Sequence, residues 1–168
     1  MDGQPVAMAP DSDAHGAIQS EIAFLLIDQL RRRNSPCRVV TAPGIVPKLL
    51  SAENVRIPDL AVTCAPEAGH RLMPDPILAI EILSPSNQAE TWANVWAYAS
   101  IPTISEILIV SSTEVRAALL RRNPDQSWPA QPETLTANDS VTIARIGCDF
   151  KLIEVYRTTR FGQANPSA

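Results

Sequence analysis

Lysine is scarce in this chain: only two of its fourteen basic residues are lysines, Lys48 and Lys151. The formal net charge is −4, which argues against a broad nucleic-acid-binding surface, because such a surface needs clustered cations to neutralise phosphates. A site that draws an anionic substrate through a bound metal cation is still compatible with an acidic protein. A catalytic lysine, if the protein uses one, therefore has only two candidates.

Long apolar runs are also lacking. No stretch approaches the roughly 18 residues that a membrane-spanning helix needs, so we expect no membrane partner. Residues 1–14 contain three aspartates, no basic residue and no apolar segment, and they do not resemble a secretory signal. We therefore expect a cytoplasmic protein.

Cysteine and glycine are few. Cys37, Cys64 and Cys148 are odd in number and widely spaced, so they fit neither a disulfide framework nor a zinc pattern. We interpret them as buried free thiols in a reducing compartment. The six glycines are outnumbered by 15 prolines, which predicts stiff loops. A length of 168 residues predicts one domain with a core of ordinary size.

The hydrophobic pattern predicts one folded domain at residues 15–160 between flexible tails at 1–14 and 161–168. Short β-favouring runs bounded by proline or polar residues are strand candidates. They lie at 38–41, 44–49, 60–64, 77–83, 107–110, 115–120 and 141–146. The segment 123–140 is polar and is interpreted as a loop excursion. Strands and helices in mixed order predict an α/β (α+β) sandwich with a central mixed β-sheet flanked by helices.

Two main helices are predicted. The first covers residues 16–33, where apolar residues recur at helical spacing. Its stripe consists of Ile18, Ile22, Leu25, Leu26 and Leu30. The second covers about 87–99, where Asn87 and Glu90 have the spacing of a capping box. Its stripe of Trp92, Val95, Trp96 and Ala99 is expected to face the core. A short closing helix is predicted at 151–156.

Two carboxylates interrupt the apolar strand candidates. Asp59 precedes the run at 60–64, and Glu81 lies near the end of the run at 77–83. A buried carboxylate is costly unless it has a metal, a hydrogen-bond donor or a cation as partner. If these two strands pair antiparallel, the start of one lies beside the end of the other, and both carboxylates share a face with small alanines. That arrangement leaves room for Mg²⁺ and its waters.

A structural alternative uses the same residues. Asp59 would cap a turn after Pro58, and Glu81 would pair with an arginine such as Arg56. Arg56 could equally contact a phosphate, and both options are open at this point. His15 stands at the start of the first helix without a partner pattern, so we interpret it as a surface or capping residue.

The order of several short motifs resembles a known family. Pro58-Asp59 is followed by Glu81-Ile82-Leu83-Ser84-Pro85-Ser86, then by a helix with Tyr98, and then by Ile101-Pro102. In this order the motifs resemble the Uma-type putative restriction endonuclease family, a branch of the PD-(D/E)xK nuclease superfamily. The resemblance runs over about residues 15–158, and the Glu-Ile-Leu-Ser-Pro-Ser stretch is its most specific part.

The resemblance implies a restriction-endonuclease-like fold and a metal-dependent reaction. Asp59 and Glu81 would hold Mg²⁺ or Mn²⁺, which would activate water for hydrolysis of DNA phosphodiester bonds. Many superfamily members take a further acidic residue from the first helix, and Glu21 is the candidate for this third ligand.

The chain departs from the family at the lysine. The superfamily's basic pattern places it two residues after the glutamate, where this chain has Leu83. Much of the Uma-type family places it four residues before the tyrosine, where this chain has Asn94. An amide can orient water but cannot transfer a proton, and losing a proton-transfer group costs about 10² to 10⁴ in rate. Lys48 replaces it only if the segment 44–49 passes the site.

Two functions of different classes follow from this departure. The first is a weak Mg²⁺- or Mn²⁺-dependent DNA endonuclease, with Asp59 and Glu81 as ligands and Asn94 or Lys48 assisting the water. The second is a catalytically silent nuclease-fold module that binds a partner or forms a homodimer.

Overall fold

The structure is a computed structural model that describes residues 12–47, 55–67, 69 and 71–163. Its elements in chain order are α1 (Asp13–Arg32), β1 (Arg38–Thr41), β2 (Leu60–Thr63), β3 (Pro76–Leu83), α2 (Gln88–Ala99), β4 (Glu106–Ser111), β5 (Arg116–Arg121), β6 (Glu133–Thr136), β7 (Ser140–Ile143), β8 (Cys148–Lys151) and a closing 3₁₀ helix (Leu152–Tyr156). In this part of the chain, no helix combines the length and apolar character needed to cross a membrane.

The central sheet has six strands in the order β1-β2-β3-β4-β5-β6. Only β3 and β4 are parallel, and all other neighbours are antiparallel. A parallel pair needs a crossover connection, and α2 supplies it between β3 and β4. Strands β7 and β8 form a separate two-stranded sheet. The predicted mixed sheet is confirmed.

Helices cover both faces of this sheet. On one face, α1 buries its apolar stripe with the 3₁₀ helix against β2, β3 and β4, in a cluster that includes Ile18, Ile22, Leu26, Leu60, Val62, Leu78, Ile80, Ile82, Leu152 and Val155. On the other face, α2 packs in a second cluster with Ala79, Val95, Tyr98, Ile107 and Ile109. The predicted α/β sandwich therefore has a core on each side of the sheet.

The β2–β3 register brings the two strand ends of interest together. The pair is antiparallel, with Leu60 opposite Ile80 and Ala61 opposite Ala79. One step further along the same register, Asp59 comes to lie beside Glu81. The two strands thus have the antiparallel pairing on which the predicted meeting of the carboxylates depends.

The segment 123–140 differs from its predicted loop character, because it contributes the edge strand β6. This strand pairs with β5 on one side only, and Leu135 is its one buried residue. A four-residue edge strand with one inward side chain leaves almost no apolar pattern in the sequence. The segment 44–49 is also not a regular strand where it is described, since Gly44 and Ile45 form isolated bridges.

The folded part extends beyond both predicted boundaries. Helix α1 begins at Asp13, because the side chain of Ser12 accepts a hydrogen bond from the backbone N–H of His15 and caps the first turn. At the other end, the ring of Phe161 packs edge-on against Tyr156 at 6.0 Å between centroids. Residues at both margins of the predicted tails thus belong to the domain.

The prediction of free thiols is wrong for two of the three cysteines. Cys37 and Cys64 form a disulfide, whereas Cys148 is free and buried. The register explains the pairing: Arg38 lies opposite Thr63, so the next residues outward on each strand meet at the end of the ladder. Sequence spacing gave no sign of this contact, because it depends on how β1 and β2 align.

Reduction of this disulfide is expected to lower the free energy of unfolding by about 2–4 kcal/mol, because the bond restricts the unfolded chain. Denaturant unfolding of the wild type with and without reductant measures the difference. Cys37→Ser should reproduce the reduced state, and Cys148→Ser should leave the effect of reductant intact. Equal midpoints for oxidised and reduced wild type would contradict the expectation.

Candidate active site

Asp59 is held in place from two sides. Its Oδ2 accepts a hydrogen bond from the backbone N–H of Ile82 at 2.7 Å, and its Oδ1 lies 3.0 Å from Nε2 of His15. The side chain of Gln19 donates to the backbone carbonyl of Asp59 at 2.8 Å. The carboxylate is therefore fixed between α1 and β3, and its side chain is still 19% exposed.

Glu81 is buried at the end of β3, with 6% of its surface exposed. Oε1 accepts a hydrogen bond from the Tyr98 hydroxyl at 2.5 Å and lies 3.4 Å from the Asn94 side-chain nitrogen. The pKa of Glu81 is raised to about 7, mainly by burial; the Tyr98 hydrogen bond opposes this rise, and the negative charge of Asp59 contributes to it. A carboxyl with this pKa is poised to exchange its proton near neutrality.

Helix α2 supplies both donors to Glu81. Asn94 and Tyr98 are four residues apart, so they lie on one face of the helix. Burial raises the pKa of the Tyr98 hydroxyl far above its ordinary value, and the adjacent Glu81 adds to this shift. Tyr98 therefore stays a neutral donor. Among the described residues, nothing donates to the second oxygen of Glu81, Oε2.

A second buried acid in the same sheet shows how unusual Glu81 is. Glu106 is 1% exposed, and it accepts hydrogen bonds from the Arg121 guanidinium and from the backbone N–H groups of Ala144 and Arg145. This satisfies the rule that buried charges are paired. Across residues 12–47, 55–67, 69 and 71–163, Glu81 makes no ion pair, and its charged neighbour Asp59 has the same sign.

This donor set fits a Mg²⁺ or Mn²⁺ ion. Mg²⁺ is typically bound by one or two carboxylates and keeps several waters, and Asp59 and Glu81 supply two carboxylates in a partly open position. Within the described part of the chain, no group of three or more His, Cys, Asp and Glu side chains could hold a metal. The ion would accordingly have two protein carboxylates and complete its shell with water or substrate.

The structure brings together three of the residues singled out from the sequence: Asp59, Glu81 and Asn94. Glu21 is not part of a metal-binding group with them; it lies six residues after His15 in α1 and is half-buried. Lys48 lies outside the described residues. Leu83, at the other lysine position of the family pattern, packs against the apolar cluster under α2.

His15 is the site residue that the sequence interpretation missed. It is 4% exposed and contacts Asp59 rather than solvent, so its assignment as a surface or capping residue was wrong. A signal was present, because His15 stands one helical turn before Ile18 and Gln19 and thus on the buried face of α1. The start predicted at residue 16 excluded it from that face.

The turn between β3 and α2 is fastened by Asn87. Its side-chain Oδ1 accepts the backbone N–H of Ser84 at 2.7 Å, and its Nδ2 donates to the carbonyl of Ile82 at 3.2 Å. Asn87 makes no side-chain cap to α2, so the predicted capping box with Glu90 is wrong. Instead, Asn87 fixes where α2 begins, which sets the position of Asn94 and Tyr98 over Glu81.

The second helix also differs from its predicted core stripe. Trp96 is 61% exposed, whereas Tyr98, which was left out of the stripe, is fully buried. The buried residues of the helix are Thr91, Val95 and Tyr98, so the prediction for Val95 is confirmed. From this face, Tyr98 donates its hydroxyl to Glu81.

Comparison with known proteins agrees with this architecture. The model of the family described as "Uma2: Putative restriction endonuclease" matches residues 1–151. An uncharacterized protein of Synechocystis sp. is 29% identical over 163 residues, covering 95% of this chain and 83% of that protein. A crystal structure of a putative nuclease belonging to DUF820 from Anabaena variabilis superposes with a TM-score of 0.69 at 16% identity, covering 93% of this chain and 87% of that one.

The structural likeness shows a shared fold, and the family match covers most of the chain, including β2, β3 and α2 with Asp59, Glu81 and Asn94. The fold is that of restriction-endonuclease-like proteins, as the resemblance implied. This chain belongs to the Uma2 family of putative restriction endonucleases.

Proposed function

We propose that the protein is a Mg²⁺- or Mn²⁺-dependent endonuclease that hydrolyses phosphodiester bonds in DNA. The single observation that carries the proposal is the meeting of Asp59 and the buried Glu81 at adjacent strand ends, with neutral donors on Glu81 in place of a cation. Family and fold support the nuclease class.

Each residue of the site has a defined task in this proposal. Asp59 and Glu81 would hold the metal, which when bound generates a nucleophilic water at neutral pH and stabilises charge on the phosphate. His15 and the backbone N–H of Ile82 fix the orientation of Asp59. Tyr98 and Asn94 occupy Oε1 of Glu81, which leaves Oε2 as the oxygen for a ligand.

An open cleft lies beside His15, and Asp59 and Glu81 are not among its lining residues. It is lined by His15 and by the turn at Ser84, Pro85 and Ser86, and it is rich in hydroxyl groups. Further lining residues are Ser12, Asp13, Ala14, Ala17, Ser112, Thr113, Thr158, Thr159, Arg160 and Gln163. Hydroxyl groups donate hydrogen bonds to phosphate oxygens without reading base sequence, so the cleft suits a nucleic-acid backbone.

Nicking of supercoiled plasmid tests the proposal. The wild type should convert it to the open circle with Mg²⁺ or Mn²⁺ and not with a chelator. Asp59→Asn keeps the shape of the side chain but lacks its charge, and it should be slower by about 10²-fold or more, since a bound metal contributes several kcal/mol. The exposed Asp149→Asn serves as the matched control and should retain wild-type activity. Equal nicking by wild type and Asp59→Asn would refute the proposal.

A second candidate function is favoured by one observation, the amide of Asn94 at the position of the family's lysine. In this case the protein is a catalytically silent module that keeps the metal site and binds a partner or a second copy of itself. Metal binding by Asp59 and Glu81 without nicking of any DNA form would support the silent module over the enzyme.

A further inference from the structure

Arg56 approaches the site from the segment that leads into β2. It stands three residues before Asp59, and its backbone exchanges two hydrogen bonds of 2.8 Å with Ile45. Ile45 is buried in the cluster that also contains Tyr98 and Val95. The backbone of Arg56 is thereby anchored beside the α2 side of the sheet, where Glu81 and its donors lie.

Within the part of the chain that the structure describes, the guanidinium of Arg56 has no partner. Its Nε is buried and makes no hydrogen bond, and its side chain forms no hydrogen bond or ion pair with residues 12–47, 55–67, 69 or 71–163. By contrast, Arg121 and Arg122 place their guanidinium groups on carbonyls or a carboxylate. Since a buried charged donor without an acceptor is costly, such a group calls for a missing ligand.

Arg56 is held beside the Ile45–Tyr98 cluster by its backbone, and among the described residues its side chain forms no ion pair with Glu81 or Asp59. This answers the question that the sequence left open: Arg56 does not neutralise either carboxylate by direct contact.

We propose that Arg56 is the phosphate-binding residue of this site. Its guanidinium would donate hydrogen bonds to a phosphate oxygen of the nucleic-acid backbone beside Asp59 and Glu81. A guanidinium presents several donors in a planar fork that matches phosphate oxygens. It is always protonated and cannot act as an acid or base, so it binds the anion and takes no proton. The inference rests on the proposed function for its substrate class.

Arg56 then supplies a cation that the family pattern takes from lysine. Asn94 is neutral, and Leu83 is apolar and packs against the cluster under α2. An arginine in this place restores attraction for the phosphate but not proton transfer. The combination fits a site that binds nucleic acid and cuts it slowly.

Binding of a fluorescent duplex oligonucleotide, measured by anisotropy with a chelator present, tests this role without cleavage. Arg56→Gln is expected to weaken binding about 10- to 100-fold, the range for loss of one charged hydrogen bond. It should also reduce the slope of log affinity against log salt concentration by about one, as expected for the loss of one phosphate contact. Arg56→Lys keeps the charge without the fork and should fall in between. The exposed Arg71→Gln is the matched control and should bind as the wild type does.

The outcomes separate this inference from the proposed nuclease activity. Weakened binding by Arg56→Gln supports the inference whether or not the wild type nicks plasmid, and failure to nick then counts against the proposed activity alone. Equal binding by wild type and Arg56→Gln overturns the inference even if the wild type is an active nuclease, as does a wild type that does not bind the duplex. An equal loss of affinity for the duplex in Arg71→Gln also overturns the inference. Thermal unfolding checks that the variants fold. If Arg56→Gln does not fold, the test uses Arg56→Lys, and an affinity for the duplex equal to that of the wild type overturns the inference.

Discussion

Replacing Asn94 with lysine is expected to raise the rate of plasmid nicking by about 10²-fold or more, because a positioned proton-transfer group contributes 10² to 10⁴ in rate. The side-chain nitrogen of Asn94 lies 3.4 Å from Oε1 of Glu81, so a lysine here would bring its ammonium group to the carboxylates. Asn94 is half-buried, so the longer side chain can be accommodated beside the carboxylates. This variant would restore the lysine that the family pattern places in the helix.

Two control variants isolate the contribution of the lysine. Asn94→Met has similar length and no charge, so it should not gain activity. Ala93→Lys adds the same charge at the exposed neighbouring position and should also remain at the wild-type rate. An Asn94→Lys protein that folds, binds metal and nicks no faster than the wild type would show that the missing lysine is not what limits the reaction.

The metal-free protein is expected to lose about 3 kcal/mol of its free energy of unfolding through Glu81 as the pH rises from about 4.5 to about 7. In this window the folded state keeps the Glu81 proton and the unfolded state has released it, so each rise in pH favours unfolding. The contribution is complete below pH 4.5, the ordinary value for a glutamate, and is lost above about 7. Denaturant unfolding over a pH series measures it.

Glu81→Gln separates this contribution from those of other titrating groups. Glutamine keeps an oxygen for Tyr98 but cannot ionise, so the difference in stability between wild type and variant should follow the titration of Glu81 alone. Mg²⁺ should oppose the loss in the wild type only, because a metal binds the ionised carboxylate and displaces its proton. A difference that does not change between pH 4.5 and 7 would show that Glu81 ionises in the folded protein as it does in the unfolded chain.

The sequence was sufficient for the elements that have strong local patterns. The α1 stripe and the apolar runs of β2, β3, β4 and β5 were all predicted, because their buried residues recur with helical or strand periodicity. The antiparallel pairing of β2 with β3 was a hypothesis, and the alternation of side chains then placed Asp59 and Glu81 on one face of that pair. This pairing is what carried the prediction of the Asp59–Glu81 site.

Contacts that depend on how distant segments of the chain align could not be predicted from the sequence. The Cys37–Cys64 disulfide depends on the β1–β2 register, and Cys37 precedes a strand whose partner begins far along the chain. Edge strand β6 buries a single side chain, too little for a periodic signal. The contact of His15 with Asp59 and the lack of a partner for Arg56 among the described residues were equally hidden, since only the folded site defines them.

The most direct test of the central claim is calorimetric titration of Mn²⁺ into the wild type and Asp59→Asn at a pH above 7, where Glu81 is ionised. If Asp59 and Glu81 form a metal site, Mn²⁺ should bind the wild type saturably and should not bind Asp59→Asn. The exposed Asp149→Asn variant should bind Mn²⁺ as the wild type does. Absence of binding to the wild type, or equal affinity in Asp59→Asn, would contradict it.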